Sequence, residues 1–103
     1  MFLEKYINDA YLNIVYDNYN RDYLESLDEN NFIGVYNLLR LHNCYFIDDI
    51  ILNYLELFEI EPKYINHALL ETRKELGDKY IFEIGNNLTI LDKVISLAHE
   101  YEN

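Results

Sequence analysis

An all-α fold, a small compact bundle of five or six helices, is predicted by three observations. Only three glycines and one proline punctuate 103 residues, too few for the turns of a many-stranded sheet. Half of the residues are hydrophobic, which argues against disorder. The apolar residues also recur at helical spacing, most plainly at 47, 50, 51, 54, 55 and 58. A chain of this length buries roughly 65% of its unfolded surface, enough for one core, so residues 1–103 read as a single helical domain.

The stretch 47–58 is the expected centre. Leu52 and Leu57 widen its apolar face until only Asp49, Asn53 and Glu56 lie clearly outside. So narrow a polar strip implies neighbours on two or three sides. Ahead of it, Leu3, Ile7, Ala10, Tyr11 and Ile14 predict a helix over about 3–16. Residues 17–22 favour turns and caps, and Tyr23, Leu24 and Leu27 suggest a short helical turn. Asp28-Glu29-Asn30-Asn31 offers a cap for a helix over about 32–42, and residues 42–45 connect tightly to the centre.

Beyond the centre, Pro62 suits a first helical position and Gly77 a left-handed stop. Between them Ile65, Ala68, Leu69, Thr72 and Leu76 form the expected buried stripe. Residues 79–91 allow a short helix closed by Gly85 or a hairpin turning at 85–87. The helix is preferred, because an isolated hairpin has no sheet to join. Thr89 and Asp92 resemble a capping box for a last helix carried by Leu91, Val94, Ile95, Ala98 and Tyr101. Lys5–Ala10 recurs at Lys63–Ala68 with one change in six, but the match decays at once on both sides.

Net charge is −11. Residues 1–30 carry two bases against seven acids, residues 31–62 one against five, and residues 63–103 five against seven. Direct nucleic-acid binding is disfavoured for want of a basic face, whereas a basic protein surface is an allowed partner. The lone Cys44 permits no internal disulfide, which suggests a reducing cytoplasm. The N-terminus has an acid where a signal peptide carries bases, and no apolar run approaches a membrane span.

No catalytic, cofactor or metal constellation emerges. Asn18-x-Asn20-x-Asp22 with Glu29 lacks the first Asp and sixth Gly of a calcium loop. His42 and Cys44 stand alone, short of a zinc set, and Cys44 reads as a small buried thiol. Asp48 and Asp49 point about 100° apart on a helix and cannot face each other as an acid/base pair. No phosphate loop, GxSxG or HExxH is present.

The most unusual stretch is 16–29, where three tyrosines sit among five acids. Tyr16, Asp17, Tyr19, Asp22, Tyr23, Glu25, Asp28 and Glu29 are the candidate partner-binding residues. Tyrosines anchor interfaces at low entropy cost, and acids steer toward a basic partner. The expected function is a non-enzymatic, acidic protein-binding module. Its sharper form is an inhibitor of toxin-immunity or phage counter-defence type, acting on a basic or nucleic-acid-handling protein. The alternatives are a small enzyme or ligand-binding protein using tyrosines and carboxylates in an inter-helix pocket, which a deep polar pocket with converging Tyr, His and Asp would favour, and a homodimeric or larger structural protein.

Overall fold

Three helices begin where an Asn or Asp side chain catches a free backbone N–H. Asn8 accepts from the N–H of Tyr11 at 3.1 Å, Asn20 from that of Asp22 at 2.8 Å and Asp28 from that of Asn31 at 2.8 Å. Each satisfies a donor that the first turn leaves orphaned. The computed structural model describes residues 1–103 and contains helices only. There are seven α-helices, against five or six expected: α1 Asp9–Asn18, α2 Arg21–Glu25, α3 Glu29–Leu41, α4 Ile47–Asn53, α5 Pro62–Leu76, α6 Tyr80–Asn86 and α7 Ile90–Glu102. Two 3₁₀ turns, Phe2–Lys5 and Leu55–Glu59, complete it. The radius of gyration is 13.4 Å, against about 13 Å expected for a folded chain of this length.

The first predicted helix is split. Residues 6–8 leave the helical path and Asn8 restarts it, so α1 has its own phase. Its buried residues are Leu12 and Val15, while Ala10 and Ile14, which the continuous stripe would bury, are exposed. The predicted central helix is split too. It breaks at Tyr54 and resumes as the 3₁₀ turn. In one continuous helix Leu57 would stand only at the margin of the apolar face, between Ile50 and Asn53. The break turns it inward, and Leu55, Leu57 and Phe58 are all buried. Ile47, Ile50 and Ile51 are buried as expected, and Asp49, Asn53 and Glu56 are exposed. Tyr54, placed at the break, is only half-buried.

From Pro62 onward the sequence reading and the structure agree more closely. α5 runs from Pro62 to Leu76 and ends at Gly77, whose φ of 85° few other residues adopt. Ile65, Ala68, Leu69 and Thr72 are buried, but Leu76 has reached solvent at the helix end. Residues 79–91 hold the helix variant, not the hairpin. Gly85 does not close α6 but lies within it, because a Cβ there would stand 3.0 Å from the buried Phe46 ring and 2.5 Å from the Tyr45 hydroxyl. The Thr89–Asp92 capping box does not form. Asn87 takes its place, accepting from the Thr89 N–H at 3.3 Å and the Thr89 hydroxyl at 2.5 Å.

Buried apolar residues from every α-helix and both 3₁₀ turns join one cluster. Phe32 of α3 stacks on Phe58 of the second 3₁₀ turn with centroids 4.6 Å apart. α5 and α7 share the broadest contact, and α1 packs on α4. α3 ends in a Schellman turn: Cys44 N–H bonds Leu39 C=O at 3.0 Å, Asn43 N–H bonds Arg40 C=O at 2.9 Å, and Asn43 has φ 62°. The repeated hexapeptide has two conformations. Lys5–Ala10 is a turn and cap, whereas Lys63–Ala68 lies inside α5. No helix is long and apolar enough to cross a membrane.

Candidate functional site

The stretch 16–29 spans the end of α1, all of α2 and the start of α3. Helix occupies residues 21–25, where a calcium loop would have to bend freely, and Asn20 is spent as a cap. The eight candidate residues separate by what they touch. Asp28 caps α3 through its side chain. Glu25 pairs with Arg21 at 3.2 Å and Glu29 with Lys5 at 3.7 Å, both on the surface. Asp17 and Asp22 are exposed with no cation in reach, and Tyr16 is 40% exposed.

Tyr19 and Tyr23 turn inward instead. The Tyr19 hydroxyl donates to Leu52 C=O and accepts from Leu55 N–H, each at 3.4 Å. These are two of the backbone groups that the break at Tyr54 leaves without helical partners. Tyr19 from α1 thus seals the gap between α4 and the 3₁₀ turn. Tyr23 stacks on Tyr19 at 5.9 Å and donates to Glu59 Oε2 at 2.7 Å. Burial, then the hydrogen bond to Glu59, then the charges of Glu59 and Glu56, hold the Tyr23 phenol above its ordinary range. Burial does the same for Tyr19, against the bond from Leu55 N–H. The face around these rings therefore gains Glu56 and Glu59, two acids outside the predicted stretch.

Cys44 is buried, and burial pushes its thiol up to about 11, so little thiolate exists at neutral pH. No group of three His, Cys, Asp or Glu side chains converges. His42, two residues away, joins a different arrangement. Its Nε2 is 2.9 Å from Asn66 Oδ1 on α5 and its Nδ1 is 2.5 Å from the Tyr80 hydroxyl on α6. The amide oxygen can only accept, so Nε2 carries a hydrogen, and in the neutral ring Nδ1 accepts from Tyr80. One imidazole thereby pins three helices. Burial raises the Tyr80 phenol, against the nearby Arg73 guanidinium.

His42 and Tyr80 line a cleft of about 380 Å³ together with Arg73 and Asp78. Tyr80, His42 and Asp78 thus line one cleft, but Asp78 is 88% exposed at its rim, so this is not the deep polar pocket on which the ligand-binding alternative depends. The sequence holds no local signal for the cleft, because Asn66 and Tyr80 lie 24 and 38 residues from His42. Comparisons of the chain with known protein families, with curated proteins and with solved structures found no match.

Proposed function

We propose that this chain works by binding a protein that presents a basic surface. One observation carries the reading. Residues 6–62 hold eleven acids and two bases, and among those acids only Glu25, Glu29 and Glu61 lie within ion-pair reach of a cation. Like charges left uncompensated on a folded chain repel, and a docked basic surface relieves that repulsion. Tyr16 supplies an aromatic contact beside Asp17 on the same stretch. The sharper form of the proposal is an inhibitor of a toxin or a nucleic-acid-handling protein, acting in a reducing cytoplasm. Its carboxylates would occupy positions that phosphates fill in the partner's own ligand, an analogy of charge alone.

The test begins with affinity capture from the source cell, followed by rate measurements with the captured partner. Charge reversal at Asp17, Asp22 or Glu56 should slow association, and the loss should fade as salt is raised. Asp28 is unsuitable for this test, because its replacement also removes a helix cap, at about 1 kcal/mol. Tyr16→Ala should raise the off-rate and cost roughly 1–3 kcal/mol of affinity. Wild-type rates for all four variants would remove the acidic face from consideration. A sizing column on the pure chain separates this reading from self-association.

A further inference from the structure

The cleft beside His42 is independent of the acidic face and has its own chemistry. Asp78 Oδ1 accepts from both Arg73 Nε, at 3.2 Å, and Arg73 Nη2, at 2.9 Å. Both bonds fall on one carboxylate oxygen. Asp78 Oδ2 receives no protein donor, and Arg73 Nη1 meets no protein acceptor. The Arg73 guanidinium also lies over the Tyr80 ring, 5.9 Å from its centroid, which holds it against the cleft wall. A paired Arg and Asp thus still offer one cationic donor and one anionic acceptor side by side, both open to solvent.

That arrangement complements a zwitterion. A carboxylate fits the Nη1 edge of the guanidinium, and an ammonium group fits Oδ2. The pair has no net charge, and neither has the ligand, so the overall −11 of the chain does not oppose binding. A simple anion would meet that opposition. Leu41 and Ile81 supply apolar wall for a side chain, and about 380 Å³ lies within the range of small-ligand sites. We infer that this cleft binds a free α-amino acid with an apolar side chain, held at its two charged ends by Arg73 and Asp78. Both side chains are more than half exposed, at 52% and 88%, so the ionic contacts are screened and binding is weak.

The test is an NMR titration of the isotope-labelled full chain with three probes. Leucine carries both charges, isocaproate lacks the ammonium and isoamylamine lacks the carboxylate. Leucine should move the Arg73 Nε–H signal and the Asp78 and Tyr80 amides saturably, and each analogue should bind at least about tenfold more weakly. Asp78→Asn keeps an oxygen for Arg73 but deletes the charge, so leucine should then bind no better than isocaproate. Arg73→Gln should abolish the response to leucine. Thermal melts of both variants show whether the fold persists. The inference fails if leucine gives no saturable shift by about 10 mM, or if wild type binds leucine and isocaproate equally.

Discussion

Gly34 faces Pro62 so closely that a Cβ on Gly34 would stand 2.8 Å from the proline Cγ. The glycine lies within α3 and the proline opens α5. A glycine inside a helix costs about 1 kcal/mol relative to alanine. Here it lets two helices cross at close range. Gly34→Ala should therefore destabilise despite its better helix propensity, because overpacking costs about 1–3 kcal/mol and the proline ring cannot rotate away. Urea denaturation should show a lower midpoint with an unchanged slope. A higher midpoint would mean that α5 shifts freely on α3.

Leu57 distinguishes the broken centre from a continuous helix. Its side chain is fully buried. Leu57→Ala should cost about 2–5 kcal/mol, as Ile51→Ala should. A continuous helix would leave Leu57 at the margin of the apolar face, partly open to solvent, where truncation costs less than at a fully buried site. Equilibrium unfolding of the two variants decides between them.

Tyr19→Phe should cost about 1 kcal/mol, since it deletes the hydroxyl that serves Leu52 C=O and Leu55 N–H and leaves two part-buried backbone groups wanting. Amide exchange at Leu55 should accelerate in the same variant. Tyr16→Phe is the control, because its exposed ring should give neither effect.

Stability should fall on the alkaline side. The Cys44 thiol is pushed from 9.0 to about 11 by burial, and the Tyr19, Tyr23 and Tyr80 phenols lie above their ordinary 10.0, again chiefly by burial. These groups keep their protons in the folded state at a pH where the unfolded chain has lost them. The unfolded state then binds fewer protons, so stability drops as pH rises. The Cys44 contribution is complete below pH 9 and is lost by about pH 11. Tyr23 follows from pH 10 upward. Urea midpoints measured across this range should decline, and Tyr23→Phe should flatten the upper part. A constant midpoint would contradict these burials.

The elements most legible in the sequence are those with chemistry at both ends. α5 is read correctly because Pro62 and Gly77 each impose a backbone angle. Asp28 is recognisable as a cap because helical spacing resumes just after it. The first helix is misread because period is followed through Asn8, whose cap resets the phase. Lys5–Ala10 and Lys63–Ala68 show how little six residues decide: Asn8 starts a helix and Asn66 sits inside one, bonded to His42. In the candidate site, the acids of α1–α2 are legible as exposed charge. The inward turn of Tyr19 and Tyr23 is not, because it depends on a helix break more than 30 residues later. The His42 cleft is hidden for the same reason.

Those long spans fix an order of events during synthesis. The hydroxyls of Tyr19 and Tyr23 find their partners 33 and 36 residues downstream. A ribosome delivers the N-terminal segment first, so α1 and α2 emerge before anything exists for those rings to dock on. Their acids keep the waiting segment hydrated and mutually repelled. The α5–α7 pairing involves residues 62–102 alone and forms once these are free. Stalled chains whose residue 52 is still inside the ribosome should remain open to protease across 9–25, and chains whose residue 60 has left the exit tunnel should become resistant there.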